Sequence, residues 1–229
     1  MIARVLLSGG MDSAVCLAWA IHEFGRGSVE CVFFSYGQRH RDREYAAAVE
    51  VARHFGVNHW AVKLDHLGGS SLTGDPGDLS GEAVVVPDRN ATMLRQAARM
   101  FPPASVLVMG ACADDWGVFP DCRPDFFDSM RAELSPISIE TPLVNLNKRG
   151  VFILAQRYGG TEILEWTWSC YRGGGSPCGD CGACVARASA FIAPPPIDPD
   201  ACDCPSPVPR IDPYGDDLEC MACGGKVSP

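Results

Sequence analysis

The sequence predicts an α/β protein built on a doubly wound parallel sheet. Three observations carry that expectation. Short apolar runs without polar alternation, such as residues 3–7 and 29–34, suit strands buried on both faces. Each is followed by a segment whose apolar residues recur at helical spacing, as Val15, Cys16, Trp19 and Ala20 do. Strands that alternate with helices in this way pair in parallel.

In order along the chain, residues 3–7 predict a strand that ends at a Gly-Gly turn, and residues 12–24 the first helix. Residues 29–34 predict a second strand, 44–55 a second helix and 60–64 a third strand. Residues 65–88 contain GGSSLTGDPGDLSGE and read as a long mobile loop of the kind that closes over a site. Helix resumes over 90–100, and 105–109 give a fourth strand. Residues 121–133 are loop leading into helix, with Pro124 in the first turn, and 148–158 a further helix. From residue 193 the composition turns to Pro and Asp, too poor in apolar side chains to pack a core. The expected division is therefore 1–165 as the main domain, 166–192 as a cysteine knuckle and 193–229 as an extension.

The chain has 229 residues, room for one full α/β domain with an appendage, and a net charge of -9. Nucleic acid is an unlikely partner for an acidic chain, because gripping a polyphosphate backbone takes a dense array of Lys and Arg. A free nucleotide remains compatible with that charge. The absence of a run of about 18 apolar residues excludes a spanning helix, and Ser8, Gly9, Gly10 and Asp12 interrupt the apolar start, so a cytoplasmic location is expected. Thiols stay reduced there, so twelve cysteines gathered toward the C-terminus point to metal rather than disulfides.

The segment Ser8-Gly9-Gly10-Met11-Asp12-Ser13 lies where the first strand hands over to the first helix. Unsatisfied N–H groups and the positive end of the helix dipole face outward at such a junction, and two glycines let an anion approach the backbone. Ser8 and Ser13 add hydroxyls, while Asp12 either caps the helix or holds a Mg2+ ion that bridges phosphates. The six residues resemble the SGGxDS loop of ATP-pyrophosphatases, which implies ATP cleaved between its α and β phosphates. No G-x-x-x-x-G-K-[ST] occurs, which disfavours γ-phosphoryl transfer.

Cys170, Cys178, Cys181 and Cys184 have spacings that let four thiolates converge, with Gly179 and Gly182 easing the turns. Four soft sulfurs with no open position point to structural Zn2+; an iron–sulfur cluster or redox thiols are the alternatives. Cys202, Cys204, Cys220 and Cys223 read either as spare thiols or as a second zinc site.

Further segments follow in an order similar to the 7-cyano-7-deazaguanine synthase (QueC) family. They are Tyr36-Gly37-Gln38-Arg39-His40, Arg89-Asn90, Asp115 before Pro120-Asp121-Cys122-Arg123-Pro124, Thr141-Pro142-Leu143 with Lys148, and the cysteine knuckle with Arg187 and Phe191. The resemblance spans about residues 3–199. It implies a fold of the adenine nucleotide alpha hydrolase type with a small C-terminal zinc-binding region. It also implies a reaction in which ATP adenylates 7-carboxy-7-deazaguanine, ammonia displaces AMP, and a second adenylation turns the amide into a nitrile.

The resemblance and the chemistry together assign residues 8–13 to the pyrophosphate, and Asp12, Lys148 and Arg39 to charge at the reacting phosphates. Asp121 could accept from a guanine-like edge in a bidentate pair, and Tyr36, Gln38, Arg89, Asn90, Asp115 and Arg123 could line the substrate pocket. Plainer roles exist for each: surface ion pairs for Arg39 and Arg123, a solvated helix start for Lys148, a turn for Asp121. His40, between Arg39 and Arg41, reads as solvated, and the Trp166 to Trp168 run as packing around the knuckle.

The family usually carries Gly-Val-Asn and Asp-Tyr-Ser-Gly-Tyr where this chain has Gly110-Ala111-Cys112 and Asp115-Trp116-Gly117-Val118-Phe119. That departure leaves room for a variant that stops after one adenylation and passes the acyl group to another amine, including one on a protein. A tRNA-thiolating enzyme shares the SGGxDS loop, and a non-catalytic zinc module that senses nucleotide is the reading from another class. The expected assembly is a homodimer.

Overall fold

The structure, a computed structural model, describes residues 1–74 and 77–192, and beyond them only the backbone of two short paired strands. The extension over 193–229, with Cys202, Cys204, Cys223 and the Cys220 side chain, therefore lies outside the residues whose side chains are described.

Five parallel strands form the sheet: β1 (Ala3–Leu6), β2 (Val29–Ser35), β3 (Asn58–Lys63), β4 (Val106–Val108) and β5 (Ser138–Glu140), in the order β3-β2-β1-β4-β5. Around it lie α1 (Met11–Phe24), α2 (Arg41–Phe55), α3 (Arg89–Arg99), α4 (Pro124–Glu133), α5 (Lys148–Tyr158) and α6 (Gly182–Ser189). The doubly wound parallel sheet expected from the sequence is present.

The period-two alternation of each strand divides its side chains between two cores. Ala3, Val5 and Leu7 of the first strand region, with Cys31 and Phe33 of β2, pack against α1, α2 and α5. Leu6, Val32, Phe34 and Leu107 pack the other way, against α3 and α4. Full burial of each such side chain contributes about 1.5–3 kcal/mol, which is why β1, β2 and β4 carry no exposed positions, while β3, at the sheet edge, leaves Asn58, Trp60, Ala61 and Lys63 exposed. Arg4 is charged yet fully buried; its guanidinium satisfies Glu30 Oε1 and the carbonyls of Ala97 and Pro102 and so ties β1 to the end of α3.

Several expectations shift. The strand β5 was not expected, because only Ile139 of its three residues is buried. Helix α6 lies inside the 166–192 segment, where the cysteine spacing shows no helical signal. The described residues of 65–88 form a packed wall rather than a free loop: Leu72, Leu79, Val84 and Val86 are buried with Tyr36, Cys170, Cys181 and Cys184 in a third core. Pro124 does open α4, where its missing N–H costs nothing.

The chain leaves β1 toward β2 and β3 on one side and later returns to β4 on the other. The loops after β1 and β4 therefore part at the carboxyl edge of the sheet, where open α/β sheets keep their ligand crevice. No helix among the described residues is long and apolar enough to cross a membrane.

Candidate active site

A cavity of about 300 Å3 occupies that crevice. Its floor is the turn from β1 into α1. Gly9 adopts φ 83°, and a Cβ there would lie 2.2 Å from the Glu44 carbonyl oxygen, so only glycine lets the turn seat against α2. Gly10 caps α1 without a side-chain bond, leaving the first-turn N–H groups to the cavity. Ser13 Oγ donates to Gly10 O at 3.0 Å and lies 3.1 Å from Ser8 Oγ, which in turn accepts from Gly10 N. From β4, Gly110 closes in on the same turn; a Cβ on it would sit 3.0 Å from Ser13 N.

Asp12, in the first turn of α1, meets Lys148, the first residue of α5, with Oδ2 and Nζ 2.5 Å apart. Lys148 is thus buried rather than a solvated helix start. Burial lifts the Asp12 carboxyl above its ordinary value, although Lys148 pulls the other way. Burial alone would lower Lys148, but Asp12 and Asp115 hold it protonated. Asp12 Oδ1 is buried and has no hydrogen-bond partner, and an orphaned carboxylate oxygen of that kind suits a cation. Asp115 and Cys112 place an oxygen and a sulfur within 4.8 Å of the Asp12 ligand oxygen. The two carboxylates suit Mg2+, which prefers hard oxygen ligands; the Cys112 thiol does not, and burial holds it protonated.

The opposite end of the cavity is built by Tyr36, Arg89, Phe119 and Tyr171. Arg89 lies 5.7 Å over the Phe119 ring and donates through Nε to Asn90. Desolvation acts to lower its pKa, yet Tyr36 and Asp121 raise it further, so the guanidinium stays charged. The Tyr36 phenol is raised by burial. Gln38 lines the wall but its amide is committed: Oε1 accepts from Tyr36 N, and Nε2 donates to Phe34 O and Glu44 Oε2.

Of the residues singled out in the sequence, Ser8, Gly10, Met11, Asp12, Ser13, Tyr36, Gln38, Arg89, Asn90, Asp115 and Lys148 line one cavity. Four others do not: Gly9, which packs against α2 beneath the turn, and three more. Arg39 donates to the carbonyls of Ser71 and Gly74, and so fastens the 65–88 segment instead of facing phosphates. Asp121 accepts from Asn90 N at 3.1 Å through Oδ2, capping the start of α3, and lies outside the cavity lining. Arg123 donates to Trp116 O on the exposed side.

His40 also departs from expectation: it is 2% exposed, packed 5.5 Å from Tyr171 and facing Glu44 at 3.3 Å. Glu44, Asp114 and Tyr171 are wall residues that no sequence motif marks, whereas Arg187 stands in the motif that follows the knuckle; Glu44 and Tyr171 reach the cavity only through contacts between distant segments. Asp114 alone had a local clue, beside Asp115; its carboxylate accepts from Lys148 N at 2.8 Å and caps α5 from across the crevice.

The sulfurs of Cys170, Cys178, Cys181 and Cys184 all lie within 4.8 Å of one another, Cys170 to Cys178 at 3.5 Å and Cys178 to Cys184 at 3.9 Å. Tetrahedral Zn–S bonds of about 2.3 Å put sulfurs roughly 3.8 Å apart, so the set fits a closed four-sulfur site. Its segment is fastened to the cavity: Trp168 N donates to Gly9 O at 2.9 Å, and Gly182 N to Leu79 O.

The family described as Queuosine biosynthesis protein QueC matches residues 2–194. This chain belongs to that family. Among its relatives, the 7-cyano-7-deazaguanine synthase of Chromobacterium violaceum is 38% identical over 207 residues, 82% of this chain and 88% of that protein. The proteins of the same name from Koribacter versatilis and Thermoplasma acidophilum are 36% identical over 218 residues and 35% over 212. These cover 86% and 83% of this chain and 91% and 87% of theirs. The chain is an enzyme of this synthase family, and the match spans both the sheet and the four-cysteine segment.

Proposed function

We propose that this QueC-family enzyme is an ATP-dependent carbon–nitrogen ligase that converts 7-carboxy-7-deazaguanine and ammonia to 7-cyano-7-deazaguanine. The observation that carries the reading is the buried Asp12–Lys148 pair, set against an open helix N-terminus at the floor of the cavity.

A carboxylate is a poor electrophile, because its charge repels nucleophiles and oxide does not leave. Adenylation removes both obstacles. The substrate carboxylate oxygen attacks the α-phosphorus of ATP, the α–β bridging bond breaks, and pyrophosphate departs toward residues 8–13. Backbone N–H groups at the start of α1, with the Ser8 and Ser13 hydroxyls, receive its growing charge. Lys148 adds a fixed cation there. Mg2+ held by Asp12 and Asp115 would supply further charge neutralisation at the phosphates. Ammonia then attacks the acyl carbon, AMP leaves, and a proton is lost to give the amide. The amide oxygen attacks the α-phosphorus of a second ATP, whose α–β bridging bond breaks to release a second pyrophosphate; loss of AMP and the two amide protons then leaves the nitrile.

The aromatic end, with Arg89 charged over Phe119, supports placement of the planar deazapurine there. Zn2+ at Cys170, Cys178, Cys181 and Cys184 would hold the wall that Trp168 and Tyr171 contribute. The same reading keeps 1–165 as the catalytic domain, 166–192 as the metal-binding segment and 193–229 as an extension, in a homodimer.

The test combines enzyme, ATP, Mg2+, ammonia and 7-carboxy-7-deazaguanine, followed by mass measurement of the products. The nitrile with two AMP formed per product supports the proposal. Accumulation of the amide with one AMP, or no small-molecule product, would reject nitrile synthesis.

A further inference from the structure

A departing pyrophosphate is a polyanion, yet the buried lysine beside the loop is already matched by a carboxylate 2.5 Å away. Arg39 faces the carbonyls of another segment. Among the described residues, the cation left at the loop end of the cavity wall is Arg187, on α6.

Arg187 is held from three sides. Nη1 donates to Thr167 Oγ1 and Nη2 to Leu164 O, both at 2.6 Å, and its Cζ lies 5.8 Å from the Phe191 ring centroid. Thr167 directly precedes Trp168, whose N–H is bonded to Gly9 O, so this anchorage stands beside the phosphate loop. A guanidinium carries five donors, and the two bonds to protein leave the rest of the fork for a ligand. The carrier helix is itself tied to the four-sulfur site: Cys181 is its N-cap and Cys184 lies one turn before Arg187.

We propose that Arg187 is a phosphate-binding residue, a guanidinium that the cysteine-anchored helix α6 delivers across the cavity from residues 8–13 to take charge on the departing pyrophosphate. The assignment rests on the ATP-cleaving reading of this cavity. It gives the cysteine site a role in positioning that charge as well as in holding the fold.

The test uses full-length, metal-loaded protein in wild-type, R187Q and R187K forms, and reads pyrophosphate binding by calorimetry, KM for ATP, KM for the deazapurine, and zinc per chain. Loss of a charge-assisted contact is expected to weaken pyrophosphate binding and raise the ATP KM about tenfold to hundredfold in R187Q. R187K, which keeps the charge but loses the fork, falls between. Deazapurine KM and zinc content stay at wild-type values. Unchanged pyrophosphate binding in R187Q, or an equal rise in both KM values, overturns the assignment; if R187Q does not fold, wild-type binding by R187K does so. Wild-type release of ADP and orthophosphate would defeat the ATP reading separately, since calorimetry with pyrophosphate still decides Arg187.

Discussion

Lys148→Met probes the buried pair at the floor of the cavity. The substituted side chain keeps the stem and removes the charge, so Asp12 loses the partner at 2.5 Å and Asp115 loses a neighbouring cation. At an effective dielectric of about 20, charges at this distance attract by roughly 7 kcal/mol before desolvation is subtracted. Removing one member of a buried pair costs about 3–5 kcal/mol, because the other charge is left uncompensated. Asp12 has an escape: it is a fifth exposed and its carboxyl is already raised by burial, so in the variant it takes up a proton.

That escape fixes the sign of a pH dependence. A carboxyl whose folded pKa lies above its unfolded value of about 3.9 binds the proton more tightly in the native state, so stability falls as pH rises. Denaturant unfolding of Lys148→Met should therefore show a small loss relative to wild type near the unfolded value and a growing loss toward neutral pH. Turnover, read as AMP formation, should fall about 100- to 1000-fold, as for other preorganised donors at a developing charge. A stability loss independent of pH, or near-normal AMP formation, would refute the assignment of Lys148 as a buried charge partner at the phosphates.

Gly9→Ala should abolish detectable ATP binding and lower stability, since its Cβ would lie 2.2 Å from Glu44 O at a positive φ; calorimetry with ATP checks it. Cys178→Ser should reduce bound metal and lower the melting temperature, with accelerated proteolysis of the 166–192 segment, because three sulfurs leave the tetrahedron incomplete. Asp121→Ala should cost about 1 kcal/mol, as the loss of a helix cap does, and leave the deazapurine KM at its wild-type value. A selective rise in that KM would restore Asp121 to the pocket.

The β1–α1 junction was legible because its cues are local: an apolar strand, two glycines and an acid at a helix start, all within residues 3–12. The sheet was legible for a similar reason, since buried parallel strands carry their burial in their own composition. What stayed hidden depends on contacts between remote segments. His40 reads as solvated beside two arginines, yet the Gly173 turn comes so close that a Cβ there would sit 2.9 Å from His40 Cα, and Tyr171 covers the ring. Arg39 and Asp121 have the chemistry of site residues, but nearby backbone groups claim both. The three-residue strand β5 offers one buried side chain, too little to show periodicity. Glu44 looks like one more acid on an amphipathic helix until Gly9 packs beneath it.

Phosphorus NMR of the products formed from ATP and 7-carboxy-7-deazaguanine tests the central claim most directly. Signals of AMP and pyrophosphate in equal amounts, dependent on the carboxylate substrate and lost in Lys148→Met, are the predicted result. ADP and orthophosphate in their place would contradict the assignment of residues 8–13 as the cradle of the leaving diphosphate.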